Sequence, residues 1–163
     1  MSVPRFDPLE AFRTLHRYEV RFVVIGGVAA RLQGSPMVTN DTDICYERSP
    51  ENLERLADAL RELGAKLRGV DEEVPFLLDA QTLAAGDHFT FTSSAGALDC
   101  LGTPSGVDGF DALARDAVSV DLGEITVAVA SVDDLIRMKR AAGRPKDLIE
   151  VEVLSALRDE LDR

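Results

Sequence analysis

A short apolar run that stops at two consecutive glycines is the feature of this sequence that most restricts its fold. Residues 21–25 read RFVVI, and such β-branched side chains are typical of a buried strand. Gly26 and Gly27 follow at once, and residues 28–33 have the pattern of a short helix that ends at Gly34. A strand that turns through glycines into a helix allows a phosphate to approach the backbone N–H groups. A plain tight turn is the alternative interpretation, and these residues alone do not exclude it.

The rest of the chain also alternates between predicted strands and predicted helices. The clearest helix begins at Ser49-Pro50, carries leucines at helical spacing and ends at Gly64. Further helices are predicted from Asp7-Pro8, over 110–116, from Ser131 to Ala142 and from about Asp147. Strands are predicted over 38–46, 66–70, 88–93, 97–101, 118–122 and 124–130, and residues 71–87 are predicted as loop with some helix. This alternation predicts an α/β (α+β) fold, and we expect a single domain over residues 1–163 with its core at about 20–155.

Two aspartates lie two residues apart on the second predicted strand, in the sequence TNDTDI. Side chains i and i+2 of a strand point to the same face, so Asp41 and Asp43 are expected about 7 Å apart along the backbone. Carboxylates held this close repel each other unless a cation lies between them. Oxygen ligands on a rigid strand suit a hard divalent ion such as Mg²⁺. A solvated turn rich in Asn and Asp remains the alternative.

A third acidic residue makes a metal site the better interpretation. Asp99 lies in the apolar sequence ALDCL, where an acid is unexpected unless it is paired or bound to a metal. Together with Asp41 and Asp43 it forms a pattern that suits two metal ions on one sheet.

The charge balance restricts the possible partners. The 163 residues include 18 basic and 29 acidic residues, which give a net charge of −11, and such a chain repels phosphate over most of its surface. Residues 137–146 are the exception, because they contain five basic side chains and no acid, although a solvated helix face would look the same. No apolar run approaches the roughly 20 residues of a membrane span, and no signal sequence is evident. Cys45 and Cys100 match no disulfide or zinc spacing. From these three observations together we expect no membrane partner and a cytoplasmic location.

The sequence Gly-Gly, then about a dozen residues, then Thr-x-Asp-x-Asp and a separate strand aspartate resembles the nucleotidyltransferase superfamily. Within it, the sequence is most similar to the abortive-infection (AbiEii-like) toxin nucleotidyltransferases and their short relatives. The segment VASVDDLIRMKRAAGRPKDLIEVEVL resembles the closing segment of that group, and the likeness covers roughly residues 22–154. It implies the nucleotidyltransferase fold, a small mixed twisted sheet with helices packed mainly on one side.

The resemblance also implies roles for individual residues. Asp41, Asp43 and Asp99 would be the catalytic carboxylates and would hold two Mg²⁺ or Mn²⁺ ions, with Asp99 helping to activate the attacking hydroxyl. The residues implied to bind the nucleotide are Gly26, Gly27, Thr39, Lys139, Arg144, Lys146 and Asp147.

Two departures from the family pattern bear on the substrate. Met37 stands where relatives often have an arginine, and Thr42 stands between the aspartates where an apolar residue is usual. The resemblance implies transfer of a nucleoside monophosphate from an NTP to a hydroxyl, with an RNA such as tRNA as acceptor and an antitoxin protein as partner. Two alternatives remain, a small-molecule (antibiotic-type) nucleotidyltransferase and a non-catalytic binding or regulatory module with this fold.

Overall fold

The computed structural model of the chain describes residues 5–69 and 76–163. Its strands are β1 (Phe22–Ile25), β2 (Asp41–Tyr46), β3 (Lys66–Leu67), β4 (His88–Ser93), β5 (Gly96–Leu101), β6 (Val118–Asp121) and β7 (Thr126–Val129). Its helices are α1 (Pro8–Arg17), α2 (Gly26–Leu32), α3 (Pro50–Glu62), α4 (Ala80–Ala85), α5 (Phe110–Asp116), α6 (Val132–Ala142) and α7 (Pro145–Leu161). Over the described ranges, none of these helices is both long enough and apolar enough to cross a bilayer.

The seven strands in the described part of the chain form one mixed sheet in the order β3-β4-β5-β2-β1-β7-β6. The pairs β2–β5 and β1–β7 are parallel, whereas the other neighbours are antiparallel. The predicted α/β class with a mixed sheet is therefore confirmed. The parallel pairing of β2 with β5 matters most for function, because it joins two strands that are more than fifty residues apart in sequence.

Side-chain caps fix the starts of the predicted helices. Asp7 accepts a hydrogen bond of 3.1 Å from the Glu10 N–H at the start of α1. Ser131 does the same for the Asp134 N–H at the start of α6, again at 3.1 Å. Pro8 occupies the first turn of α1, where the missing N–H costs nothing. Both of these predicted helix starts are confirmed.

Alternation along the central strands separates the core from the site. On β5, Leu98 and Cys100 are buried on one face, and Asp99 points to the other. Ile44 of β2 is likewise fully buried between Asp43 and Cys45. The buried leucines of α3 contribute to the same hydrophobic core, as the helical spacing predicted. The acidic face of the sheet is therefore carried by strands whose opposite face is anchored in the core.

Some element boundaries differ from the prediction. Helix α2 begins at Gly26 rather than at residue 28, because the positive φ of Gly26 (68°) turns the chain from strand to helix without a linker. Strand β2 begins at Asp41 rather than at residue 38, and Val38 is 84% exposed. Helix α7 begins at Pro145 rather than near Asp147, since proline is well suited to the first helical position.

The region of residues 66–87 also departs from the prediction. Strand β3 has two residues in place of the predicted strand over 66–70, whose last residue lies outside the described residues. Residues 71–75 of the ambiguous segment also lie outside them, and the later part of that segment contains α4. Asp79 caps α4 by accepting a 2.8 Å hydrogen bond from the Thr82 N–H.

Candidate active site

The sheet register brings the predicted carboxylates together. Asp43 of β2 lies directly opposite Asp99 of β5, and Asp41 lies opposite Ala97 on the same pair of strands. Paired residues of neighbouring strands point to the same face, and so do residues i and i+2. The three acidic side chains consequently share one face of the sheet, with Asp41 exposed at the start of β2.

Burial and mutual repulsion perturb Asp43 strongly. Desolvation and the nearby charges of Asp99 and Asp41 raise the pKa of Asp43 from 3.8 to about 7. Lys139 opposes the shift through its positive charge. The Asp43–Asp99 pair is therefore a place where an additional cation would be strongly favoured.

Asp99 has a cation on its other side. The Arg68 guanidinium contacts the Asp99 carboxylate, with 2.7 Å between Nη2 and Oδ1, and the Asp99 side chain is only 17% exposed. Within residues 5–69 and 76–163, no group of three or more His, Cys, Asp or Glu side chains is arranged as a set of metal ligands. The donor chemistry nevertheless fits a hard divalent ion, because three carboxylates share one face and Lys139 offsets only part of the repulsion at Asp43.

Two glycines make room for site side chains. A Cβ on Gly26 would overlap the Asp43 carboxylate, and a Cβ on Gly27 would lie 2.6 Å from Cβ of Thr39 and 2.7 Å from its Oγ1. Thr39 Oγ1 also lies 3.4 Å from the Asp41 backbone N–H, which donates to it, and this contact shapes the turn into β2. The glycines thus allow a close approach of the Asp43 and Thr39 side chains, and the predicted approach of a phosphate to this turn stays a prediction.

The basic side of the site is built at the junction of α6 and α7. Lys139 forms ion pairs with Glu150 and, at 3.6 Å, with Asp147, so its side chain is only 22% exposed. The Asp147 carboxylate is fully buried and accepts hydrogen bonds from the Arg144 backbone N–H at 3.2 Å and the Arg144 Nε at 2.7 Å. These contacts with Arg144 hold the pKa of Asp147 below its usual range. The structure therefore places Asp147 behind two cations rather than facing solvent.

The acidic and basic groups meet in one open cleft of about 460 Å³. The predicted residues that line it are Gly26, Gly27, Thr39, Asp41, Asp43, Asp99, Lys139, Arg144 and Lys146. Asp147 is the predicted residue that does not line it. Lys139 lies on the same side of the sheet as Asp43, so the basic cluster is more than a solvated helix face.

The sequence analysis did not identify several residues at or near the site. Glu150 lines the cleft and forms an ion pair with Lys139. It lies about one helical turn after Asp147, so helical spacing could have predicted that the two acidic residues share a face of α7. Met37, which the sequence had already singled out, lines the cleft as well. His88 begins β4 and lines the cleft, Arg68 follows the last residue of β3, and nothing in the local sequence marks either as a site residue.

The cysteines do not offer an alternative nucleophile. Burial raises the pKa of Cys45 to about 12 and raises that of Cys100 as well, so both thiols stay protonated. The hydroxyl of Ser93, the last residue of β4, is buried and donates a 2.7 Å hydrogen bond to the Gly96 carbonyl. The polar side chains that line the cleft are carboxylates, cationic groups, His88, Asn40 and the hydroxyls of Ser35 and Thr39, and neither cysteine is among them.

Solved structures share this fold. The lincomycin-bound lincosamide antibiotic adenylyltransferase LnuA superposes with a TM-score of 0.63 and 12% identity over 96% of this chain and 99% of that one. ANT(2'')-Ia in complex with adenylyl-2''-tobramycin gives a TM-score of 0.53 at 16% identity over 93% and 94% of the two chains. TM1012 from Thermotoga maritima, assigned as a nucleotidyltransferase, gives 0.52 at 17% identity over 94% and 92%. The sequence matches no protein-family model and no curated protein. At these identities the likeness concerns the architecture, and the chain has the nucleotidyltransferase fold.

Proposed function

We propose that this protein is a metal-dependent nucleotidyltransferase that moves a nucleoside monophosphate from an NTP to a hydroxyl acceptor. One observation carries the proposal: Asp43 and Asp99 lie side by side on the sheet, in the same cleft as Lys139, Arg144 and Lys146. A cleft with carboxylates on one wall and cations on the other suits the two ends of a metal–triphosphate complex.

The carboxylates would form the metal-binding and catalytic wall. Asp41 and Asp43 would hold the ions, and Asp99 would complete the site nearest the acceptor. Two Mg²⁺ or Mn²⁺ ions, when bound, would neutralise charge on the α-phosphate and on the attacking and leaving oxygens. In the transfer, the acceptor oxygen bonds to the α-phosphorus while the bond to the pyrophosphate oxygen breaks. The hydroxyl proton would pass to a carboxylate, and Asp99 is the one we assign to this step.

The basic wall would bind the triphosphate. The side chains of Arg144 and Lys146 are exposed at the cleft, whereas Lys139 is held in place by Glu150 and Asp147. Asp147 would act on nucleotide binding through the two cations that it contacts. In a chain of net charge −11, these residues provide the local positive charge that a polyanion needs. Gly26, Gly27 and Thr39 would line the nucleotide side of the same cleft.

The acceptor has two candidates. The resemblance of the sequence to AbiEii-like toxins favours an RNA 3′ end such as that of tRNA, and in that case we expect a cytoplasmic toxin that is held inactive by an antitoxin protein. The fold neighbours favour a small molecule, because LnuA was solved with lincomycin and ANT(2'')-Ia with adenylyl-2''-tobramycin.

Transfer of label from an α-³²P-labelled NTP tests the function and its acceptor together. The protein is incubated with each of the four NTPs and Mg²⁺, with either total tRNA or a panel of lincosamides and aminoglycosides. We expect label on one acceptor class, no transfer with EDTA, and no transfer by Asp43→Asn. Asp111→Asn on the exposed surface of α5 is the matched control and should retain activity. Nucleotide binding without transfer to either class would favour the non-catalytic alternative.

A further inference from the structure

Arg68 is the one residue in the described part of the chain that forms a salt bridge with a proposed metal-binding carboxylate on β2 or β5. Its backbone N–H donates to the Thr90 carbonyl at 2.9 Å, just beyond the end of β3. Thr90 is in turn the register partner of Asp99, and Asp99 is that of Asp43. The arginine is therefore aligned with the carboxylate pair by the sheet itself.

The position of Arg68 bears on how Asp99 could bind a metal ion. The guanidinium lies 2.7 Å from Asp99 Oδ1, and the two side chains are 35% and 17% exposed. An arginine does not lose its proton in a protein, so it is a permanent positive charge against Asp99. A divalent ion bound by Asp99 would have to share or replace this partner, because both cations need the same partly buried carboxylate.

We propose that Arg68 is the resident counter-ion of Asp99 and that a divalent cation displaces it when the site is loaded. Arg68 is then a positioning residue: it holds the third carboxylate in the metal-free protein and lowers metal affinity by competition. The competition also accounts for the absence of a ready-made set of three ligands in residues 5–69 and 76–163. This inference rests on the metal dependence in the proposed function.

The expected size of the effect follows from the contact. A hydrogen bond between charged partners contributes strongly to the Arg68–Asp99 pairing, whereas the partial exposure of the Arg68 side chain reduces that contribution through solvent screening. We expect Arg68→Gln to bind Mn²⁺ about tenfold more tightly than the wild type, with Arg68→Lys in between. Lys66→Gln is the matched control, because it removes the same charge two residues earlier, in β3, and Lys66 forms no salt bridge within the described residues. The affinity of the Lys66→Gln variant for Mn²⁺ should stay within about twofold of that of the wild type.

The experiment titrates Mn²⁺ alone into each nucleotide-free protein and measures free ion by electron paramagnetic resonance. Tighter binding by Arg68→Gln, together with unchanged binding by Lys66→Gln, supports the exchange. Equal or weaker binding by Arg68→Gln overturns it, since a purely structural ion pair would not restrain the metal. A failure of the wild type and of every variant to bind Mn²⁺ also overturns the exchange, whereas the metal dependence itself is overturned only by label transfer that persists in EDTA, so the two failures are distinguishable.

A second measurement uses the wild-type chain and avoids any loss of folding in the variants. The side-chain ¹⁵Nε signal of Arg68, assigned by its loss in Arg68→Lys, should shift during a Mg²⁺ titration as the guanidinium leaves Asp99. A signal that does not move at saturating Mg²⁺ overturns the displacement.

Discussion

Asp43→Asn is expected to make the metal-free protein more stable, although it removes a central residue of the proposed site. Burial beside Asp99 and Asp41 raises the pKa of Asp43 from 3.8 to about 7 in the folded state. The folded protein therefore binds more protons than the unfolded chain between those values, and stability falls as the pH rises through that window. Asparagine resembles the neutral acid in shape and can still donate a hydrogen bond to Asp99, so the variant escapes this loss.

The size of the gain depends on pH. Each unit of pKa shift corresponds to about 1.36 kcal/mol, so the variant should be more stable by about 2 kcal/mol at about pH 5.5 and by about 4 kcal/mol at about pH 8. Urea denaturation in EDTA measures the free energy of unfolding of the two proteins. Far-ultraviolet circular dichroism monitors the unfolding, because the chain has no tryptophan. Asp41→Asn at the exposed neighbouring position should change stability by less than about 1 kcal/mol. A variant that is no more stable at the higher pH, or whose gain does not grow with pH, would refute the reasoning.

Three further substitutions test separate parts of the structure. Thr42→Val should stabilise the protein by about 1 kcal/mol in thermal denaturation, because the Thr42 hydroxyl is buried with no hydrogen-bond partner among the described residues. A loss of stability would show that the hydroxyl does have a partner. Gly26→Ala should cost about 1–3 kcal/mol more than Gly64→Ala in urea denaturation. Both glycines have positive φ, but only a Cβ on Gly26 meets Asp43, and equal costs would contradict that. Lys139→Ala should weaken NTP binding by about 1–3 kcal/mol in calorimetry and should also lower the free energy of unfolding by about 1 kcal/mol. Unchanged NTP binding would show that Lys139 does not contact the nucleotide.

The stability cost expected for Lys139→Ala differs from what the sequence alone suggests. A lysine in a basic cluster is expected to be exposed, and removing it should then leave stability nearly unchanged. The structure places Lys139 against the buried Asp147 and against Glu150, and its side chain is only 22% exposed. Helical spacing within one element does not show such contacts, because they depend on how α6 and α7 meet.

Local sequence signals were sufficient for much of the fold. The caps at Asp7 and Ser131, the glycine turn after β1 and the leucine face of α3 each depend on residues within a few positions of one another. The alternation along ALDCL correctly separates Asp99 from the buried Leu98 and Cys100.

Long-range pairing could not be predicted in this way. The register that sets Asp43 opposite Asp99 arises from the parallel pairing of β2 and β5, which no local pattern specifies. Arg68 was missed for the same reason, since it lies just beyond the end of the two-residue β3 and reaches over β4 to Asp99 on β5. The three aspartates were grouped from their acidic chemistry on predicted strands, and the resemblance to a family then implied their roles, whereas neither gave any signal for Arg68.

Calorimetric titration of NTP in the presence of Mg²⁺ tests the central claim most directly. The wild type is compared with Asp41→Asn combined with Asp43→Asn, and both are repeated in EDTA. We predict that the wild type binds NTP in a Mg²⁺-dependent manner and that the double variant loses at least about a hundredfold in affinity while it remains folded and at least as stable. Equal affinity of the two proteins for NTP and Mg²⁺ would contradict the assignment of the carboxylates to a metal–nucleotide site.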